Sequence, residues 1–226
     1  PNLFVLLVGP PAARKGRAMS PALSLLRELG ITLASDCSTR AALVTELKSS
    51  FSGLETGNNG LVTPHSSLTI FNKELVNLLG YGNRELLGDL CQFYDCEPRW
   101  KKKTTTQGTW EITNIWLNLI GAITPRLLRQ SCPVELVGGG FLSRCCLIYS
   151  EKPGKIVQVP PYKKVGEKWT YIGDLEGENN PEKKAILHDL GAISLLSGEF
   201  KIDDSWIEEW CKWYNGVDND IKAFHD

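Results

Sequence analysis

Asn2 to Arg17 reads NLFVLLVGPPAARKGR, and this stretch decides the fold. Residues 2–8 form a continuous apolar run with β-branched members, the pattern of a strand covered on both faces. Gly9-Pro10-Pro11 breaks the run. From Ala18 the segment AMSPALSLLRELG carries apolar residues at helical spacing and stops on Gly30. A buried strand, a turn holding Lys15 and a helix together open a βαβ unit.

Working outward, residues 31–35 (ITLAS) predict a second short strand, and Ser38 is placed to cap a helix running to about residue 49. Residues 51–66 are rich in Gly, Asn and Ser and read as a surface loop. SLTIF at 67–71 is a third strand, followed by helical material from Glu74. EPRWKKKTTTQGTWEI at 97–112 is basic and Thr-rich, a hairpin or extended loop. IWLNLIGAI at 115–123 is a fourth buried strand, RLLRQ a short helix, and CCLIY a fifth strand. Alternation at this pitch predicts an α/β domain with a mainly parallel central sheet flanked by helices. That domain spans 1–150. Residues 151–180 are Pro- and Lys-rich and read as an irregular connection, and 181–226 as a small C-terminal helical region.

The chain has 226 residues, with 25 Lys and Arg against 26 Asp and Glu, a balance that argues against a wholesale nucleic-acid coat. A local basic groove remains compatible with it. No apolar run reaches the roughly 20 residues of a membrane span. The opening run lacks a basic leader and a cleavage site, so it reads as a strand rather than a signal peptide. Seven cysteines at no metal-ligand spacing fit reduced thiols in a cytosolic compartment.

The loop after the first strand can be set against G-x-x-x-x-G-K-[ST], whose amides and helix N-terminus surround phosphates while Lys reaches the terminal ones. Gly9 and Lys15 keep the spacing. Arg14 stands in the second glycine's place, and Gly16 replaces the hydroxyl residue that ligates Mg²⁺. On this reading Gly9, Pro10, Pro11, Ala12, Ala13, Arg14, Lys15, Gly16 and Arg17 hold the phosphates; the other reading is a solvated basic turn. At the end of the third strand, Asn72 and Glu74 are the expected metal-side pair. Glu74 is the carboxylate that would polarise water, unless it only opens a surface helix. Thr124 ends the fourth strand as a polar sensor. Of Arg126, Arg129 and Arg144, the last follows a Gly-rich loop and ranks first as an arginine finger, within the chain or toward a neighbouring subunit. Arg99, Trp100, Lys101, Lys102 and Lys103 make the best single-stranded nucleic-acid contact, by phosphate pairing and base stacking. Otherwise they form a hairpin whose lysines blunt its edge. Trp206, Trp210 and Trp213 fall at i, i+4, i+7, the spacing of a packing surface.

Taken in order, VGPPAARKGRAM, STRAALVTEL, LTIFNKELVNLLGY, LCQFYDC, LIGAITPRLL and GGGFLSRCCLIYSE resemble the primase–helicase-like ATPases of phages and mobile elements, motor domains of RecA or AAA+ type. The resemblance covers about residues 2–150. It implies a P-loop NTPase that binds ATP with Mg²⁺ and hydrolyses it to move along single-stranded DNA. It also implies a homo-oligomeric ring, a primase domain upstream, and the cytoplasm of a bacterial or phage-infected cell. In that frame Lys15 holds the phosphates, Glu74 activates water, Thr124 senses and Arg144 is the finger. The family loop has the form R-K-G-[ST], which puts the hydroxyl at position 17, where this chain carries Arg17. Ser20 lies one turn further on. Two other readings stand beside the motor: a degenerate nucleotide-binding scaffold and a small-molecule kinase.

Overall fold

The structure, a computed structural model, describes residues 2–35, 39–56, 61–104, 108–132, 140–151, 162–171, 181–196 and 202–223. In chain order the elements begin β1 (Phe4–Val8), α1 (Lys15–Glu28), α2 (Arg40–Ser49), β2 (Phe51–Thr56), β3 (Leu61–Asn72), α3 (Val76–Leu79) and α4 (Arg84–Tyr94). They continue β4 (Arg99–Thr104), β5 (Gly108–Thr113), β6 (Ile115–Ile123), α5 (Pro125–Ser131) and β7 (Cys145–Tyr149). Last come β8 (Tyr162–Val165), β9 (Lys168–Tyr171), α6 (Pro181–Ser194) and α7 (Asp204–Ala223).

The central sheet has five strands in the order β2-β3-β6-β1-β7. β3, β6, β1 and β7 run parallel, and only β2 is antiparallel. The fold is therefore α/β with a mainly parallel sheet, as the alternation predicts.

The apolar run of β1 explains its central position. Phe4, Leu6 and Val8 bury one face in a core shared with Leu43 and Leu47 of α2, Leu79 of α3 and Leu90 and Phe93 of α4. Leu7 packs on the other face with Met19, Leu23 and Leu26 of α1, Phe71 and Ala122. Each fully buried Leu or Phe stabilises the fold by about 1.5–3 kcal/mol, so a strand apolar on both sides belongs between two helical layers. Helix caps follow the short polar residues. Asn83 Oδ1 accepts from Leu86 N at 3.1 Å to start α4. Thr39 accepts from Ala42 N at 3.2 Å to start α2, a role expected of Ser38, which lies outside the described residues.

Three expectations change. Residues 51–66 are not one loop, because β2 pairs with β3 from Phe51↔Ser66 to Thr56↔Leu61. The Gly/Asn cluster occupies only 57–60, while the residues beside it supply backbone partners to the lower edge of β3. Residues 31–35 form only a single parallel bridge, Leu33↔Thr69, with Ala34 N and Thr69 O 2.9 Å apart. The connection after 151 contains a hairpin, β8–β9, which turns at Gly166 with φ +62°.

α6 is tied to α1 through Lys183, which donates to Ser24 Oγ at 2.8 Å and pairs with Glu28. On α7, Trp206 and Trp210 stack at 5.4 Å and Trp213 follows at 5.0 Å from Trp210. No helix among the described residues is long and apolar enough to cross a membrane.

Candidate functional site

Parallel strands end on one edge of a sheet, and ligands of open α/β sheets bind outside those carboxyl ends. Here the order β3-β6-β1-β7 sets the turn Asn72 to Glu74, then Thr124, then the Gly9 to Arg17 loop, side by side along that edge. A pocket of about 510 Å³ opens there, lined by Pro11, Ala12, Arg14, Lys15 and Gly16 of the loop and by Lys73, Glu74 and Thr124. Lys15, Glu74 and Thr124, three side chains picked from separate motifs, thus share one cavity.

The loop is held in a specific shape. A Cβ on Gly9 would come 2.5 Å from Ser150 O, so only glycine fits where β1 leaves the sheet. Gly9 N donates to Ile123 O at 3.3 Å, and Ser150 N donates to Val8 O at 3.1 Å. Ala12 and Arg14 are left-handed, with φ of 65° and 58°. The conformation at Arg14 explains why the general pattern has glycine there: the turn needs positive φ, which costs an L-residue about 1–2 kcal/mol. Lys15 Nζ donates to Gly9 O at 2.8 Å and Pro10 O at 2.9 Å, folded back on its own loop. Arg14, the N-cap of α1, makes no side-chain cap and the first turn carries no acid, so the positive end of the helix is turned toward the pocket.

Thr124 is the N-cap of α5, where its hydroxyl oxygen accepts from Leu127 N at 3.4 Å. That bond uses an acceptor site and leaves the O–H to donate. Glu74 sits exposed in the turn after β3. Asn72 is 6% exposed, and its Oδ1 accepts from Glu74 N at 2.8 Å, which fixes the turn.

For Mg²⁺, which favours oxygen ligands including carboxylates in octahedral array, the described residues lining the pocket supply one carboxylate, Glu74. Gly16 offers no hydroxyl. Asn72 turns its oxygen to the backbone. Ser20 Oγ receives Lys73 Nζ at 3.1 Å, which places a cation at the nearest hydroxyl. Among the described residues no group of three or more His, Cys, Asp and Glu side chains could hold a metal.

Other expected residues lie elsewhere. Arg144 precedes β7, whose first residue, Cys145, pairs with Phe4, at the end of the sheet opposite the pocket. Its guanidinium donates to both Asp95 oxygens, at 2.9 and 2.7 Å, and to Gly140 O at 3.0 Å. This pair holds the Asp95 carboxyl below its usual range, chiefly through Arg144's hydrogen bonds. Arg144 therefore cannot reach its own chain's pocket. Gly138 and Gly139 of its loop lie outside the described residues.

The Arg99 to Lys103 strip is β4, paired with β5. Trp100 is 4% exposed, donates to Gln92 Oε1 at 2.8 Å and meets Phe93 edge-on at 5.1 Å. It is a core residue with no face left for a base. Lys102 donates to buried Asp89 at 3.0 Å, while Arg99 and Lys101 pair with Glu111. Lys103 is the exposed cation at the far end of the strand.

Lys73, which the strip Asn72-Lys73-Glu74 could have advertised, went unread in the sequence; a cation between two expected metal-side residues was the signal. Lys73 and Glu74 also line a second cavity, of about 630 Å³, with Arg27, Ser35 and Asn77. The site and sheet define the class: a mainly parallel α/β domain compatible with a Rossmann-like or a P-loop fold. No protein-family model matches the chain, and no curated protein matches it.

Proposed function

We propose that this is a P-loop ATP-binding domain, with the polyphosphate lying along the Gly9 to Arg17 loop and the N-terminus of α1. One observation carries the reading: Lys15, Glu74 and Thr124 line a single pocket at the carboxyl ends of β1, β3 and β6. Arg14, Lys15 and Lys73 against Glu74 make that pocket cationic, as a polyphosphate requires. Lys15 leaves its loop carbonyls to take the terminal phosphates. Glu74 orients a water for attack, and Thr124 donates its O–H to that water or to the phosphate. Action on single-stranded DNA in a homo-oligomeric ring, with a primase domain upstream, extends this proposal through the family resemblance; an arginine finger would then come from a neighbouring subunit.

The donor set favours a second reading, a nucleotide-binding scaffold that holds ATP without turning it over. ATP binding and phosphate release by the purified chain, with and without single-stranded DNA and alongside Lys15→Ala, separate the two. Turnover that vanishes in the variant supports an ATPase. Binding without turnover selects the scaffold. Absence of any nucleotide binding ends both.

A further inference from the structure

We propose that Lys73 stands in for the divalent cation, so that this pocket grips polyphosphate through side-chain ammonium groups and needs no metal. The inference rests on the polyphosphate reading and adds how the charge is met.

The geometry comes from both walls of the pocket. On the α1 side, the general G-x-x-x-x-G-K-[ST] pattern puts its metal-ligating hydroxyl at Gly16. A Cβ built there lies 3.6 Å from Lys73 Cδ and 3.9 Å from its Cβ and Cγ. The Lys73 methylenes therefore lie in van der Waals contact with the place a side chain at position 16 would start from. The ammonium ends 3.1 Å from Ser20 Oγ, which itself donates to Gly16 O at 3.1 Å. On the β3 side, the Asn72 amide oxygen is directed to Glu74 N. Glu74 is the pocket's one carboxylate among the described residues lining it, against three cations. A metal entering here would meet an ammonium before it met a ligand set. A phosphate in the pocket would have both Lys15 and Lys73 among the residues around it.

Lys73 suits the task because the turn that carries it is fixed while its side chain is not. Leu75 N donates to Ala122 O at 3.0 Å, anchoring the turn to β6. Lys73 is exposed, and among the described residues its ammonium bonds the Ser20 hydroxyl, so it can exchange Ser20 for a phosphate oxygen at little loss. Lysine acts on phosphate as a point charge and needs no fixed angle of approach.

The test titrates the full chain with ATP by calorimetry, in buffer with Mg²⁺ and in buffer with EDTA. Wild type binds equally well, within about threefold, in both. Lys73→Ala weakens binding by about tenfold or more in EDTA, and Lys73→Arg retains most of it. Lys73→Asp removes the cation, supplies a carboxylate beside Gly16 and makes binding depend on Mg²⁺. The residue is exposed, so these variants keep the wild-type urea midpoint. Loss of wild-type affinity in EDTA, or a Lys73→Ala curve that overlays wild type, overturns the proposal while leaving ATP binding intact. No ATP binding by wild type in either buffer removes the polyphosphate reading and this inference with it.

Discussion

Leu75 rests directly on Gly121. A Cβ at Gly121 would lie 2.9 and 3.0 Å from the Leu75 methyls and 3.2 Å from its Cβ, and Leu75 is fully buried. The turn bearing Lys73 and Glu74 is thus seated on β6 through a contact that only glycine admits. Gly121→Ala pushes that seat away. Overpacking of this kind destabilises by about 1–3 kcal/mol, read as a lower urea midpoint at unchanged slope. ATP affinity falls with it, because Lys73 and Glu74 move.

Arg14 separates stability from binding. Its left-handed backbone favours glycine, whereas its cation lines the pocket. Arg14→Gly raises stability by about 0.5–1 kcal/mol and weakens ATP binding. Thermal melts and titrations on the same sample should move in opposite senses; parallel movement would refute the assignment.

The Asp95–Arg144 pair predicts a pH effect of known sign. The Asp95 carboxyl is depressed in the folded state by Arg144's hydrogen bonds. Its contribution is therefore present above the ordinary aspartate value, near pH 4, and is lost as pH falls through the lower folded value. Both side chains are partly exposed, so Arg144→Ala costs no more than about 1 kcal/mol at neutral pH. The difference from wild type closes in acid and shrinks with salt. ATP binding by the single chain is unchanged in this variant, because the guanidinium lies at the other end of the sheet.

Trp100 and Lys103 divide the two readings of the basic hairpin. Trp100→Ala removes a buried ring and destabilises by about 3–5 kcal/mol. Asp89→Ala removes the buried carboxylate that Arg40 and Lys102 both bond; Arg40 keeps Glu85 and Lys102 reaches water, so the cost is smaller, about 1–3 kcal/mol. Lys103→Ala leaves the melt in place. Denaturation curves of the three variants check the order.

Thiol reactivity follows burial. Desolvation raises Cys132 to about 11 and Cys145 to about 12, and also raises Cys91. All three stay protonated at pH 8 and react with a disulfide reagent only on unfolding. Exposed Cys146 and Cys211 react first. Peptide mapping after a short pulse reads the difference.

The parallel sheet was legible because β1 and β6 are apolar on both faces and end on Gly9 and Thr124, which stop a strand by backbone geometry and by capping. The meeting of Lys15 and Glu74 in one candidate pocket was legible for a related reason: spacing from a strand end fixes where they project. What escaped the sequence were effects of contact. Nothing local marks Trp100 as core, since its burial depends on α4 arriving to supply Phe93 and Gln92. The pairing of Arg144 with Asp95 joins residues 49 apart. Lys73 was hidden in the opposite way, too close to two expected ligands to be read as a rival to the metal.

One consequence follows from the way the Gly9 loop is rooted. Its first amide is bonded to the last residue of β6, and Ser150 is bonded back to Val8, with no room for even a methyl group between Gly9 and Ser150. The loop and the exit of β7 are rigidly coupled. A ligand that moved the loop would press, as through the short arm of a lever, on Ser150 at the end of β7.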